Sequence, residues 1–194
     1  MKRRLFVAAL LSAGLVGCAP SGPTFHSVDI TGADYGKGFA LTDHTGSPRT
    51  LADYKGKAVT LFFGFTHCPD VCPTSLATMQ QALALLGPDA ARVQVLFVTL
   101  DPERDSTELL AAYVPKFDAS FVGLRGDAAA TAAVAKEYKI FYQKVPGSTP
   151  DSYTLDHSAG TYVHDTQGRL RLFIRHGETP QKIADDLKAL LSQG

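Results

Sequence analysis

The sequence predicts one α/β domain built on a central mixed sheet flanked by helices. Three observations carry this. Residues 58–65 and 93–100 are continuous apolar runs, the pattern of strands covered on both faces. Segments with helical periodicity or alanine-rich composition follow each run. A late pair of short strands flanks the turn Thr166-Gln167-Gly168, as in a hairpin. A chain of 194 residues that is 45% hydrophobic holds one ordinary core and is short for two.

In order along the chain, residues 27–30 and 39–42 read as short strands, an extra N-terminal strand region ahead of the first core strand. The core strand at 58–65 starts after Gly56-Lys57. A helix over 73–86 follows, with Leu76, Met79, Leu83 and Leu86 on one face and Gly87-Pro88 as its stop. The second core strand, 93–100, leads to a helix over 106–117. Residues 121–124 form a short strand and 128–138 another helix. The hairpin strands 161–164 and 169–174 come next, and an amphipathic helix over 180–191 turns Ile183, Leu187 and Leu190 inward. Parallel strands with helical crossovers, then an antiparallel pair and a terminal helix, give the thioredoxin-like order. In such open sheets the chemistry gathers beyond the carboxyl ends of the strands.

The N-terminal region has a different character. Lys2-Arg3-Arg4 precedes an apolar run at 5–17, too short to span a bilayer as a helix, so residues 1–17 are expected to be a signal peptide. Its end, Leu15-Val16-Gly17-Cys18, resembles a bacterial lipobox. Cys18 is then the lipidated first residue, and 18–24, rich in Pro, Gly and Ser, is an anchor and tether ahead of a domain over 25–194. The expected location is the bacterial cell envelope, with the domain on the periplasmic or outer face of the cytoplasmic membrane. Without its first three basic residues the chain has 16 basic against 19 acidic residues. It carries no basic stripe, so nucleic acid is not an expected partner.

With Cys18 as anchor, two cysteines remain. Cys68 and Cys72 follow the first core strand in Phe65-Thr66-His67-Cys68-Pro69-Asp70-Val71-Cys72-Pro73. Thiols four apart on a helical turn share a face, about 5–6 Å apart at Cβ, and can chelate one soft metal ion or close a disulfide. Pro73 at the first helical position places Cys72 near the N-cap, where unpaired N–H groups and the helix dipole favour thiolate. His67 adjoins Cys68, but neighbouring side chains point apart.

Three separated motifs, Gly64 to Pro73, Leu100-Asp101-Pro102-Glu103-Arg104-Asp105, and Asp156-His157-Ser158 ahead of Tyr162-Val163-His164-Asp165, resemble the Sco/SenC family of copper proteins in content and order. The resemblance runs from about Phe25 to the C-terminus. It implies a thioredoxin-like fold and a metallochaperone that delivers copper to, or reduces cysteines of, the binuclear copper site of cytochrome c oxidase subunit II. It implies Cys68, Cys72 and His157 as ligands of Cu(I) or Cu(II), with a thiol reductant as a further partner. Two thiolates suit Cu(I), an added imidazole also admits Cu(II), and zinc tolerates the same donors. His157 is expected on a loop before the hairpin. Asp101 has two readings: a turn residue before a helix capped by Asp105 or Ser106, or a second-sphere group that orients a ligand. The remaining histidines, His26, His44, His164 and His176, are expected in ordinary surface or core roles.

The runner-up function is a membrane-tethered thiol-disulfide reductase using Cys68 and Cys72 as redox-active residues, with a reversible disulfide and without copper transfer. Ser158-Ala159-Gly160 lacks the proline that ordinary thioredoxins place before the facing strand, and their C-x2-C is absent. A peroxiredoxin reading, prompted by Val71-Cys72-Pro73-Thr74, meets Pro69 where that family needs a threonine.

Overall fold

The computed structural model describes residues 24–149 and 152–193. The expected signal segment, Cys18 and most of the tether lie outside them.

The sheet has eight strands: β1 (Val28–Asp29), β2 (Ala40–Asp43), β3 (Pro48–Thr50), β4 (Ala58–Gly64), β5 (Val93–Thr99), β6 (Val122–Arg125), and, from the later chain, β9 (Thr161–His164) and β10 (Leu170–Ile174). A separate ribbon pairs β7 (Tyr142–Pro146) with β8 (Tyr153–His157). Helices are α1 (Val71–Leu86), α2 (Thr107–Tyr113), α3 (Ala128–Glu137) and α4 (Pro180–Leu191). The large sheet runs β1-β10-β9-β4-β5-β6-β2-β3, with β4, β5 and β6 parallel and every other neighbour antiparallel.

Strands β4 and β5 are buried at every residue, as two apolar runs covered on both faces must be. Their register, Ala58↔Val93 through Gly64↔Thr99, brings both C-terminal ends to one edge. Strand β9 runs antiparallel to β4 and begins at that same edge, with Phe62 opposite Thr161. Three loops therefore converge there: 65–70, 100–106 and 158–160. Helices α1 and α4 pack together on one face of the sheet, and α4 turns Ile183, Leu187 and Leu190 into the core.

Local chemistry explains the element ends. The Ser106 hydroxyl accepts from Leu109 N–H and caps α2, and the Asp127 carboxylate caps α3 by accepting from Ala130 N–H. Pro115 ends α2 as an α-helix, and the expected helix over 106–117 finishes as a 3-10 turn over Val114–Lys116. At the other edge β1 is tied down from a distance: the buried Asp186 carboxylate of α4 accepts from the N–H groups of His26 and Ser27, both at 2.8 Å.

Two features went unread in the sequence. Strand β3, three residues beginning with Pro48, adds an edge to β2. The β7–β8 ribbon was missed because the alternation of β8 spans only five residues and β7, with Tyr142 and Val145 three apart, does not repeat it.

The β2–β3 turn depends on one carboxylate. Asp43 is almost fully buried and accepts from the Thr45 hydroxyl and N–H, the Ser47 N–H and the Arg49 guanidinium. Burial alone would raise this carboxyl, but the hydrogen bonds from Thr45, Arg49 and Ser47 outweigh it and hold the group far below the usual carboxylate range. Its folded value thus lies below the unfolded value of about 3.9, so its stabilisation is complete above that value and is lost as pH falls through the folded one. Asp43→Asn is expected to lose about 1–3 kcal/mol at neutral pH, and the gap to wild type should shrink on acidification. Denaturant titrations across pH check both statements.

Gly64, the last residue of β4, makes room for α1. A Cβ there would stand 2.7 Å from Cys72 Sγ and 3.0 Å from the Phe62 ring. Gly64→Ala is expected to destabilise the fold by about 1–3 kcal/mol through this overpacking. The Cys72 sulfur should shift with it, read by denaturation and by the rate of Cys72 alkylation.

Candidate metal centre

Cys68 lies in the loop after β4 and Cys72 in the first turn of α1, whose N-cap is Asp70. Helix α1 thus starts two residues earlier than the sequence suggests, with Pro73 as its third residue. A proline is tolerated there because the N–H it lacks would have no partner in the helix. Cys72 is therefore inside the helix and fully buried, rather than at the cap. Its backbone N–H points at Cys68 Sγ, 3.4 Å away, so the opening of α1 supplies a donor to the other thiol. The Gly64 carbonyl accepts from Leu100 N–H at 2.7 Å, which locks the start of this loop to the end of β5.

His157 is the last residue of β8, paired with Tyr142, rather than part of a loop. Its Nε2 lies 3.6 Å from Cys72 Sγ. Its Nδ1 is 2.9 Å from the carbonyl of Ser158. A carbonyl only accepts, so Nδ1 carries the hydrogen and the Nε2 lone pair faces the thiols. The rings of Phe62 and Phe65 meet the imidazole edge-on, with centroids 6.3 and 5.9 Å away. The sulfurs of Cys68 and Cys72 and a ring nitrogen of His157 all lie within 4.8 Å of one another.

Burial sets the charge states. It pushes the Cys72 thiol far above its ordinary value, a shift that the nearby Phe65 backbone N–H offsets only in part. It also pushes the His157 imidazole down. At neutral pH the pair is a neutral thiol beside a neutral imidazole. Burial thus works against the thiolate that a helix start favours at Cys72. Metal ligation by such a pair must expel the thiol proton.

The site opens into a groove of about 410 Å³ that includes Cys68, Asp70, Phe141, Asp156 and His157. Cys68 is half buried at its wall and Cys72 sits behind it. The donor set of two soft sulfurs and one imidazole matches Cu(I), Cu(II) or zinc, and three protein donors leave a position for a further ligand.

The other sequence candidates are placed as follows. His67 stands outside the donor cluster, its Nδ1 3.1 Å from the Thr66 hydroxyl. His164 is a buried core residue that donates from Nε2 to the Gly36 carbonyl at 2.9 Å. His44 accepts from Gly123 N–H, His176 meets the Ser75 hydroxyl, and His26 lies near Asp185 at the surface. Asp101 touches none of the three donors. Its backbone carbonyl turns the chain by accepting from Arg104 and Asp105 N–H, and its buried carboxylate receives Arg104 Nε and the Tyr153 hydroxyl.

Sequence reasoning missed Asp105. Fully buried, it accepts from the N–H and hydroxyl of Thr66 and from the Thr99 hydroxyl, and so stitches the loop before Cys68 to β5. A second acid four residues after Asp101 was the only available signal, and a capping role covered it equally well.

Comparison with known proteins agrees with this geometry. The SCO1/SenC family model matches residues 28–192. The bovine (Bos taurus) mitochondrial protein SCO2 homolog is 35% identical over 97% of this chain and 75% of its own length. The chain spans 60% and 57% of the lengths of the mouse and human counterparts. Among solved structures, Bradyrhizobium japonicum ScoI with copper bound is 42% identical, with a TM-score of 0.74 over 81% of this chain and 99% of that one. Apo Sco1 from Thermus thermophilus is 40% identical, with a TM-score of 0.77 over 86% of this chain and 97% of that one. The fold, the match along nearly the whole described domain and the clustered cysteines and histidine lead to one assignment: this chain belongs to the SCO1/SenC family.

Proposed function

We propose that this protein is a copper metallochaperone whose cargo is held by Cys68, Cys72 and His157 and delivered to the binuclear copper site of cytochrome c oxidase subunit II. One observation carries the reading: three donors from two distant parts of the chain meet within 4.8 Å, with the imidazole lone pair facing the sulfurs. Solved relatives with copper bound support the choice of metal. An open groove with only three protein donors favours transfer over storage, since an acceptor's ligand can enter before the donor's ligands leave. Placement at the outer face of the cytoplasmic membrane through lipid on Cys18 belongs to the same proposal, and an oxidase acceptor requires that face.

A second reading has one observation in its favour. Cys68 borders the groove while Cys72 is buried behind it, the asymmetry of an attacking and a resolving thiol. The Cys68 thiolate would attack an acceptor disulfide, releasing one thiolate, and Cys72 would displace the second. The acceptor gains two electrons as two thiols, and Cys68–Cys72 is left as a disulfide that an external thiol reductant restores. Reducing the acceptor's cysteines before loading them would make the two activities successive uses of one site.

His157 separates the readings, because copper capture needs it and disulfide reduction does not. Reduced wild type and His157→Ala, each loaded with copper, are to be compared for affinity, spectrum and transfer to an oxidase subunit II domain. His157→Ala is expected to lose Cu(II) affinity by about tenfold or more and to transfer poorly while still reducing a model disulfide. Equal copper binding and transfer by both proteins would sink the three-donor assignment.

A further inference from the structure

The three donors are not held alike. Cys68 and Cys72 sit on the β4 to α1 junction, anchored by the main sheet. His157 ends a two-stranded ribbon that shares no ladder with that sheet. A lone ribbon is marginal by itself, so side chains must fix it.

They do so from the loop after β5. The Arg104 guanidinium lies flat on the Tyr153 ring, its carbon 3.6 Å from the centroid. Its Nη1 donates to the Tyr153 carbonyl at 2.8 Å, and its Nε donates to Asp101. The Tyr153 hydroxyl donates to the other Asp101 oxygen at 2.7 Å, closing a ring of contacts around one carboxylate. Lys144 on the facing strand reaches Glu103 of the same loop at 2.6 Å, an exposed pair worth little by itself. Tyr153 opens β8 and His157 closes it, so a grip on the first residue fixes the direction of the strand that carries the imidazole.

We propose that Asp101, Arg104 and Tyr153 form a latch that pins the β7–β8 ribbon to the loop after β5 and thereby positions His157 against the two thiols. Arg104 is the central positioning residue because it grips Tyr153 twice, through the ring stack and the backbone carbonyl, while Asp101 holds its Nε. With the latch closed, copper meets three donors. With it released, the thiol pair stays in place and the imidazole is free to leave, which converts a site for either oxidation state into a Cu(I) site. Contact of an acceptor with the exposed side of the ribbon is then a route to loosen the third donor. The latch rests on the assignment of His157 as a copper ligand only for its copper consequence; its hold on the ribbon stands apart from it.

The test uses the full chain as wild type, Arg104→Ala, Arg104→Lys, Tyr153→Phe, His157→Ala and the Arg104→Ala/His157→Ala double variant. In the metal-free protein, Arg104→Ala should speed amide exchange in β7 and β8 by about tenfold or more while leaving β4 and β5 protected. It should also shift the His157 ring proton resonances. Arg104→Lys keeps the charge but loses the planar fork, so it should restore little, and Tyr153→Phe, which keeps the stack, should fall between. With copper, Arg104→Ala should weaken Cu(II) binding about 10–100-fold in chelator competition, diminish imidazole-nitrogen coupling in the electron spin spectrum and leave Cu(I) affinity within about threefold. The double variant should bind Cu(II) no more weakly than His157→Ala. Wild-type ribbon exchange and ring shifts in Arg104→Ala overturn the latch, as does deprotection of the whole sheet in both Arg104→Lys and Tyr153→Phe. A further Cu(II) loss in the double variant also overturns it. If His157→Ala binds copper as wild type does, the copper assignment fails, and the metal-free exchange and ring shifts still decide the latch.

Discussion

The parallel pairing of β4 with β5 is the constraint on which the rest of the site depends. Because the two strands run the same way in strict register to Gly64↔Thr99, both chains leave the sheet side by side at one edge. The loop with the cysteines and the loop with Asp101 and Asp105 are brought into contact by that geometry alone. The buried Asp105 carboxylate then joins them through Thr66 and Thr99. A buried carboxylate needs all its donors, so this junction tolerates little slack. Antiparallel β9 enters from the same edge, so the residues just ahead of it, including His157, arrive near that edge.

Burial at this edge does opposite things to ligation and to acidity. It fixes the thiol of Cys72 and the ring of His157 with aromatic walls and a single backbone acceptor, which lowers the entropy that a metal complex would otherwise cost. It also keeps the Cys72 thiol protonated and the imidazole neutral. The site is therefore arranged for a metal yet carries no charge pair of its own that would resist approach. Proton release becomes part of metal capture, and reducing conditions become a condition for it, since the same two sulfurs can close on one another.

The ribbon that delivers His157 stands outside this rigid frame. The cysteines sit on the loop and helix that leave the main sheet directly, whereas the ribbon of the histidine is tied to that frame by a guanidinium stacked on a phenol ring and a shared carboxylate. A ladder is given up only by unfolding the sheet, but a side-chain clamp can open alone. The proposed carrier role fits this division, with two sulfurs on the rigid frame and an imidazole on a ribbon held by side chains.

Much of this was legible in the sequence. Continuous apolar runs at 58–65 and 93–100 marked the buried strands, and proline and glycine punctuation bounded the helices, because burial and backbone sterics act on neighbouring residues. The C-x3-C spacing after the first core strand located the reactive edge for the same reason. Local pattern did not reveal the β7–β8 ribbon, the grip of Arg104 on Tyr153 or the depth of Cys72. The alternation of β8 is only five residues long and β7 lacks it, and Arg104 and Tyr153 lie 49 residues apart. Whether a thiol is charged depends on what covers it, which a spacing of four residues cannot tell. The sequence by itself named the cysteine pair as candidate donors and the core strand that it follows, and its family resemblance named His157. Only the tertiary structure decided that a histidine 85 positions from Cys72 turns its lone pair toward it, because that contact is made by strands meeting at a sheet edge and not by any neighbour in the chain.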